Sequence, residues 1–201
     1  MQPDFWHARW STAQIGFHRS SVDDNLIQHW RDLTLPKAAR VLIPLCGKSL
    51  DLLWLRQRGH KVVGVELSDI ALQAFFAENG VAARRRALPR FDLYEAENLE
   101  CFRGDLFELT AERLGPVAAV YDRASLISWT PDQRERYVEH LTTLTGTGGH
   151  SGSLSCRIRP SYRRRAEKCF PATVLDAGSG WIRKLDTRCW RTPAPWVSPP
   201  R

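Results

Sequence analysis

Apolar positions along the first 145 residues fall into short runs and stripes that switch between two periods. Arg40-Val41-Leu42-Ile43-Pro44-Leu45 is a compact apolar run with β-branched members, bounded by proline and glycine, and predicts a buried strand. Over residues 49–58 the period changes, with Leu50, Leu53, Trp54 and Leu55 as the apolar positions of a helix and Gly59 placed to stop it. Lys61-Val62-Val63-Gly64-Val65-Glu66 predicts a second strand. Ser68 then caps a helix carrying Ile70, Leu72, Phe75 and Phe76, which ends at Asn79-Gly80. Strand, helix, strand, helix is the signature of a parallel α/β sheet.

The flanking pattern is consistent with that plan. Ser20/Ser21 can cap a helix with Val22, Leu26, Ile27 and Trp30 on one face, and Pro36 ends the region. Residues 81–98 are polar and predict a loop or hairpin, 99–102 a short strand, and Val117-Ala118-Ala119-Val120-Tyr121 another buried strand with Asp122-Arg123 at its carboxyl end. Thr130-Pro131-Asp132-Gln133 combines an N-cap, a proline at the first helical position and a capping-box glutamine ahead of Tyr137, Val138, Leu141 and Leu144. Beyond Gly146 the pattern gives way to Gly, Ser, Arg, Pro and Cys. Only Thr173-Val174-Leu175 and Trp181-Ile182 offer apolar material there, and nothing clearly completes a sheet.

Length and composition fit one globular domain: 201 residues, 43% hydrophobic and 25% charged. No apolar run approaches the ~18 residues needed to span a bilayer, and the N-terminus lacks the plan of a signal peptide, so a cytoplasmic, membrane-free protein is expected. A monomer is expected as well. Five cysteines with no Cys-x-x-Cys pair read as reduced thiols, and the six histidines show no metal-ligand spacing, so no metal is expected. The formal charge of +7 is unevenly placed. Residues 1–145 hold 18 Lys+Arg against 19 Asp+Glu, and residues 146–201 hold 11 against 3. A basic tail of this kind, with Arg163-Arg164-Arg165, admits a nucleic-acid-binding reading. An isolated tri-arginine in a Ser/Pro-rich segment is more often a solvated run, so no nucleic-acid partner is expected.

The chemistry concentrates at the carboxyl ends of the predicted strands, where open α/β sheets bind their ligands. Leu45-Cys46-Gly47 forms a tight turn after the first strand, and Glu66 stands at the end of the second, 19 residues after Gly47. An acid at about that distance can accept hydrogen bonds from both ribose hydroxyls, which points to an adenosine-containing cofactor. A turn glycine and a solvated acid would explain that pair alone. Gly104-Asp105-Leu106 and Asp122-Arg123 put polar groups at two further strand ends, which favours a site. Gly47-Lys48-Ser49 is not a phosphate loop, because Leu42 stands where that loop needs glycine.

These residues resemble the thiopurine S-methyltransferase family. The similar segments are Phe5-Trp6 through Trp10, Gly16-Phe17-His18, VLIPLCGKSLDLL at 41–53, Val63 through Ser68, Phe75-Phe76, Gly104 through Phe107 and Tyr121 through Ala124. Pro-Leu-Cys-Gly-Lys is the distinctive one, since most methyltransferases place a Gly-x-Gly turn there. The resemblance implies an α/β fold of class I methyltransferase type, a Rossmann-like sheet with flanking helices, and S-adenosyl-L-methionine as cofactor. It implies that Trp10, from an N-terminal lid, covers the cofactor and that Leu45 and Gly47 form the turn. Glu66 then binds the ribose, Asp105 and Leu106 contact adenine, and Arg123 sits near the methionine end or the substrate as the catalytic residue, with Phe17 lining the substrate pocket. The implied substrate is an aromatic or heterocyclic thiol, and bacterial relatives are associated with methylating selenium and tellurium oxyanions, hence with tellurite resistance. A thiolate needs no strong base, so positioning and desolvation would supply most of the catalysis.

The resemblance covers about residues 1–145, expected to form the methyltransferase core with its lid. Residues 146–201 depart from it as an aberrant segment of the same domain, with a composition compatible with disorder. Relatives continue with a buried strand, a Gly-Pro-Pro-Phe segment and a closing strand pair, where this chain has His150 through Arg157 and then Arg163–Arg165. C-terminal strands that are degraded or missing are therefore expected. Similarity returns at Trp181 through Arg188 and is lost at Cys189. Codons compatible with Cys189 through Pro193, read in another frame, give Leu-Ala-Asp-Thr, which resembles the family, so residues from about 148 are expected to be partly out of frame. An inactive methyltransferase-fold remnant is the alternative to an active enzyme.

Overall fold

A computed structural model describes residues 3–33, 35–145, 153–156 and 173–176. Eight strands form one sheet: β1 (Arg40–Pro44), β2 (Lys61–Glu66), β3 (Arg84–Leu88), β4 (Phe91–Ala96), β5 (Leu99–Arg103), β6 (Ala119–Asp122), β7 (Ser153–Cys156) and β8 (Thr173–Asp176), in the order β3-β4-β5-β2-β1-β6-β7-β8. The five neighbours β5, β2, β1, β6 and β7 run parallel, while β3-β4, β4-β5 and β7-β8 are antiparallel. The chain passes from β1 to β2 on one side and later crosses to β6 on the other. The carboxyl end of β1 is therefore the switch point at which a crevice opens.

The helices are α1 (Pro3–Ser11), α2 (Asp24–His29), α3 (Asp51–Gln57), α4 (Asp69–Glu78), α5 (Ala111–Leu114) and α6 (Pro131–Thr145). They cover both faces of the sheet, and the strands alternate accordingly. Val41, Ile43, Val62, Leu99 and Cys101 join one apolar cluster with Leu52, Leu55, Leu72 and Phe75. Leu42, Val63, Val65 and Phe102 join the other with Leu114, Tyr137, Leu141 and Leu144. Burial on both faces is why β1 and β2 read as continuous apolar runs. At one edge of the sheet, β3 is largely solvent-exposed and carries Arg84, Arg85 and Arg86 in succession.

The predicted elements fall into place, with adjustments at α2. Helix α2 is capped by Asp23, whose carboxylate accepts from the Asn25 N–H at 2.9 Å, and not by Ser20 or Ser21. The Asp23 N–H is itself held by Asp51, which fixes the extended backbone that an N-cap needs. Helix α2 is short and buries only Leu26; Trp30 is buried in the 3-10 turn that follows, and Ile27 stays 43% exposed. Residues 81–98 form the β3-β4 hairpin, which widens the sheet beyond β5. In α6 the expected capping box is present on one side, with the Thr130 N–H donating to the Gln133 side chain at 3.4 Å.

The C-terminal strands, expected to be degraded or missing, are reduced to four residues each. Ser153–Cys156 pairs in parallel register with β6, and Thr173–Asp176, the apolar stretch noted in the sequence, pairs antiparallel with it. Four residues of alternating serine suffice because a strand's backbone ladder does not depend on which side chains it carries. Arg163–Arg165, Trp181 through Arg188 and Cys189 lie outside the described residues.

Candidate functional site

Four strand ends meet at the mouth of the crevice. After β1 the chain turns through Leu45, Cys46 and Gly47, with Leu45 at φ +49° and Gly47 at φ +54°. For a residue with a side chain the left-handed region costs about 1–2 kcal/mol, so the turn is a conformation held by its surroundings. Those surroundings are hydrogen bonds between strand ends: Cys46 N–H to the Val65 carbonyl at 3.0 Å, and Gly104 N–H to the Glu66 carbonyl at 2.9 Å. Cys46 and Cys101 are buried free thiols, and the hydrogen bond between them, then burial, pushes the Cys46 thiol well above its ordinary range.

Glu66 is built into this turn. One carboxylate oxygen accepts from the Gly47 N–H and the other from the Ser68 N–H, both at 2.8 Å. Burial raises its pKa, and the N–H groups of Ser68, Gly47 and Leu67 draw it back down. A carboxylate has about four lone-pair positions, so these N–H groups fix its orientation and leave it able to accept more. A vicinal diol such as a ribose presents two donors.

The N-terminal segment closes over the turn. The Trp10 ring is 6% exposed, and a Cβ placed on Gly47 would lie 3.1 Å from its edge. Phe17 packs edge-on against Trp10 at 5.6 Å and against Trp6 at 5.5 Å, giving an aromatic wall. His18, next in sequence, has its pKa lowered by burial first and then by Lys48, and Arg123 acts in the same direction. Lys48 is engaged with Glu78 at 2.6 Å.

Beyond β5, a Cβ on Gly104 would overlap the Phe91 ring at 2.5 Å, so this position requires glycine. Asp105 is exposed and caps the 3-10 turn Leu106–Glu108 by accepting from the Phe107 N–H at 3.0 Å. Leu106 is buried, and its carbonyl faces His140 Nε2 at 2.7 Å. Beyond β6, Arg123 approaches buried Asp51 at 3.3 Å through Nε, and Ala124 is left-handed at φ +66°. Asp122 points the other way. It is buried and accepts from the Tyr137 hydroxyl at 2.6 Å and the Ser125 N–H at 2.9 Å, and burial raises its pKa.

The structure thus brings Trp10, Leu45, Gly47 and Glu66 together at one turn, with Phe17 packed on Trp10. Asp105 and Leu106 follow β5, whose end is hydrogen-bonded to that of β2, and Arg123 follows β6 on the other side of β1. The sequence profile of the family described as Thiopurine S-methyltransferase (TPMT) matches residues 1–177.

The chain belongs to the thiopurine S-methyltransferase family.

The match runs further than the span of about 1–145 read from the motifs. A thiopurine S-methyltransferase of Pseudomonas fluorescens (strain Pf0-1) is 49% identical over 144 residues, 72% of this chain and 66% of its own length. One of Shewanella loihica is 39% identical over 184 residues, covering 92% and 81%. The chain thus spans about two thirds of the Pseudomonas relative's length. Among solved structures, a SAM-dependent methyltransferase from Anabaena variabilis superposes with TM-score 0.55 at 18% identity, covering 83% of this chain and 67% of that one. Magnesium protoporphyrin IX methyltransferase from Synechocystis, with bound SAH, gives 0.53 at 16%, covering 92% and 87%. At these identities the likeness establishes the fold alone: a class I methyltransferase sheet with flanking helices.

The residues present fit such a cofactor. A fixed carboxylate with lone pairs to spare, a glycine turn and an aromatic cover are the groups that a ribose and an uncharged ring call for. Asp51 was not singled out from the sequence. An acid in the first turn of a helix ordinarily reads as a solvated charge favoured by the helix dipole. Among the described residues, no group of three or more His, Cys, Asp or Glu could hold a metal ion, and no helix is long and apolar enough to cross a membrane.

Proposed function

We propose that this chain transfers a methyl group from S-adenosyl-L-methionine to the sulfur of aromatic or heterocyclic thiols, thiopurines among them, with selenium and tellurium compounds as further soft acceptors. The observation that carries the reading is Glu66: a buried carboxylate clamped by the Gly47 and Ser68 N–H groups beside the switch point of the sheet, next to the turn that Trp10 packs against.

When bound, the cofactor supplies an electrophilic sulfonium-borne methyl. Glu66 holds the ribose hydroxyls with its remaining lone pairs. Asp105 and Leu106 border the adenine, and the Leu45–Gly47 turn borders the chain of the cofactor. Trp10 and Phe17 exclude water, which strips solvation from an attacking sulfur and strengthens every electrostatic contact around it. Arg123 favours the anionic form of the acceptor or holds the cofactor's carboxylate. Arg163–Arg165 has no part in this reading.

Transfer of a radiolabelled methyl group from S-adenosyl-L-methionine to a thiopurine by the 201-residue chain tests the proposal directly. Product formation is expected. Binding of S-adenosylhomocysteine without transfer would identify a methyltransferase-fold remnant, and absence of binding would overturn the reading.

A further inference from the structure

Asp51 lies in the first turn of α3, yet its side chain is only 2% exposed. Three groups from two distant stretches of chain converge on it. The Asp23 N–H donates to Oδ1 at 2.8 Å, the Tyr121 hydroxyl donates to Oδ2 at 3.2 Å, and Arg123 Nε lies 3.3 Å from Oδ2. A buried ion pair rarely adds net stability, because desolvating two charges offsets their attraction.

The geometry of the pair suggests what it does. Asp51 engages Arg123 from the side, through Nε. The two terminal nitrogens, which form the fork that grips carboxylates and other anions, make no hydrogen bond to the described residues. Arg123 keeps 22% of its side chain exposed. On the other side of Asp51, Asp23 caps α2 and pairs with Arg19 at 2.6 Å. Arg19 follows Phe17 and His18 directly, and Phe17 packs on Trp10. One carboxylate therefore touches both the arginine of the crevice and the anchored end of the lid.

We propose that Asp51 is a positioning residue that aims the terminal nitrogens of Arg123 at the anionic part of the bound ligand and, through Asp23, anchors the lid loop to the same group. This rests on the methyl-transfer reading and deepens it: lid anchorage and arginine orientation are set together.

Asp51→Asn preserves shape and an acceptor for the Asp23 N–H but removes the charge that faces Arg123. Calorimetry with S-adenosylhomocysteine and the KM for a thiopurine identify which ligand Arg123→Gln weakens. Asp51→Asn weakens that same ligand by about threefold or more, and the double variant stays within about twofold of Arg123→Gln alone. Asp51→Glu, which keeps the charge, recovers part of the loss. Additive effects, weakening of the other ligand, or a loss confined to melting temperature would overturn the positioning role. Should Asp51→Asn not fold, the NMR signal of Arg123 Nε–H in the unaltered chain decides. Protection from exchange and a displacement on adding ligand are expected, and a rapidly exchanging signal that ligand leaves unmoved overturns the proposal. Failure of the unaltered chain to bind S-adenosylhomocysteine would instead overturn the methyl-transfer reading itself, together with the role that rests on it.

Discussion

Glu66 and Asp122 are both buried acids at strand ends, and they serve different ends because of what faces them. Glu66 is oriented by backbone N–H groups alone and has capacity left over, whereas Asp122 is taken up by Tyr137, Ser125 and Leu126. Glu66→Ala should weaken S-adenosylhomocysteine by about 1.5–3 kcal/mol, roughly 10- to 150-fold, with the thiol KM little changed. Calorimetry checks this, and an unaltered affinity would remove Glu66 from the site. The sequence revealed Glu66 because its role follows from a spacing to Gly47 within one βαβ unit. Asp51 was illegible for the opposite reason. Its partners lie 28 and 70 residues away, and only the folded sheet brings Asp23 and Tyr121 to it.

Elements that carry their own periodicity were legible nearly to the residue. β1, β2 and β5 sit where runs of apolar residues placed them, and α4 starts at the Ser68 cap, whose hydroxyl accepts from the Ala71 N–H. Helix α2 was less so, because its cap depends on a tertiary hydrogen bond and not on the nearest serine. The β6-α6 connection shows how such tertiary bonds hold elements together, since the Tyr137 hydroxyl from α6 reaches Asp122 at the end of β6. Tyr137→Phe leaves a buried carboxylate short of a donor and should cost about 1–3 kcal/mol in chemical denaturation, while S-adenosylhomocysteine affinity stays close to that of the unaltered chain. At the opposite end of the sheet, the Trp30 indole N–H donates to His60 Nε2 at 3.0 Å, which requires that nitrogen to be unprotonated. Burial lowers the His60 pKa from 6.5, so its contribution is present above that pH and is lost as pH falls through the folded-state value. The melting-temperature advantage of the unaltered chain over His60→Gln should therefore shrink between pH 7.5 and pH 5. A constant difference would show that His60 does not titrate with folding.

For the molecule as a whole, the fold class was legible because alternating strands and helices leave few topologies open, and the profile match to residue 177 carries the family beyond the motifs that first suggested it. The C-terminal strands were legible only as degraded ones, since Thr173-Val174-Leu175 stands out as apolar while the four residues Ser153-Leu154-Ser155-Cys156 are too few to establish a period. The β3 edge has a consequence of another kind. An exposed outer strand offers unpaired backbone groups to any other extended chain, and runs of positive charge are among the devices that discourage such pairing. Arg84, Arg85 and Arg86 occupy three consecutive positions there, and only part of their charge is met by Asp92, Asp69 and Glu95. Two molecules approaching β3 to β3 would bring two sets of guanidinium groups together, so their mutual repulsion guards this margin against self-association. Replacing all three with threonine, which suits a strand but carries no charge, should leave the melting temperature near its original value while light scattering of concentrated solutions rises. The arginines of β3 would then be keeping molecules apart, a duty separate from any performed in the crevice.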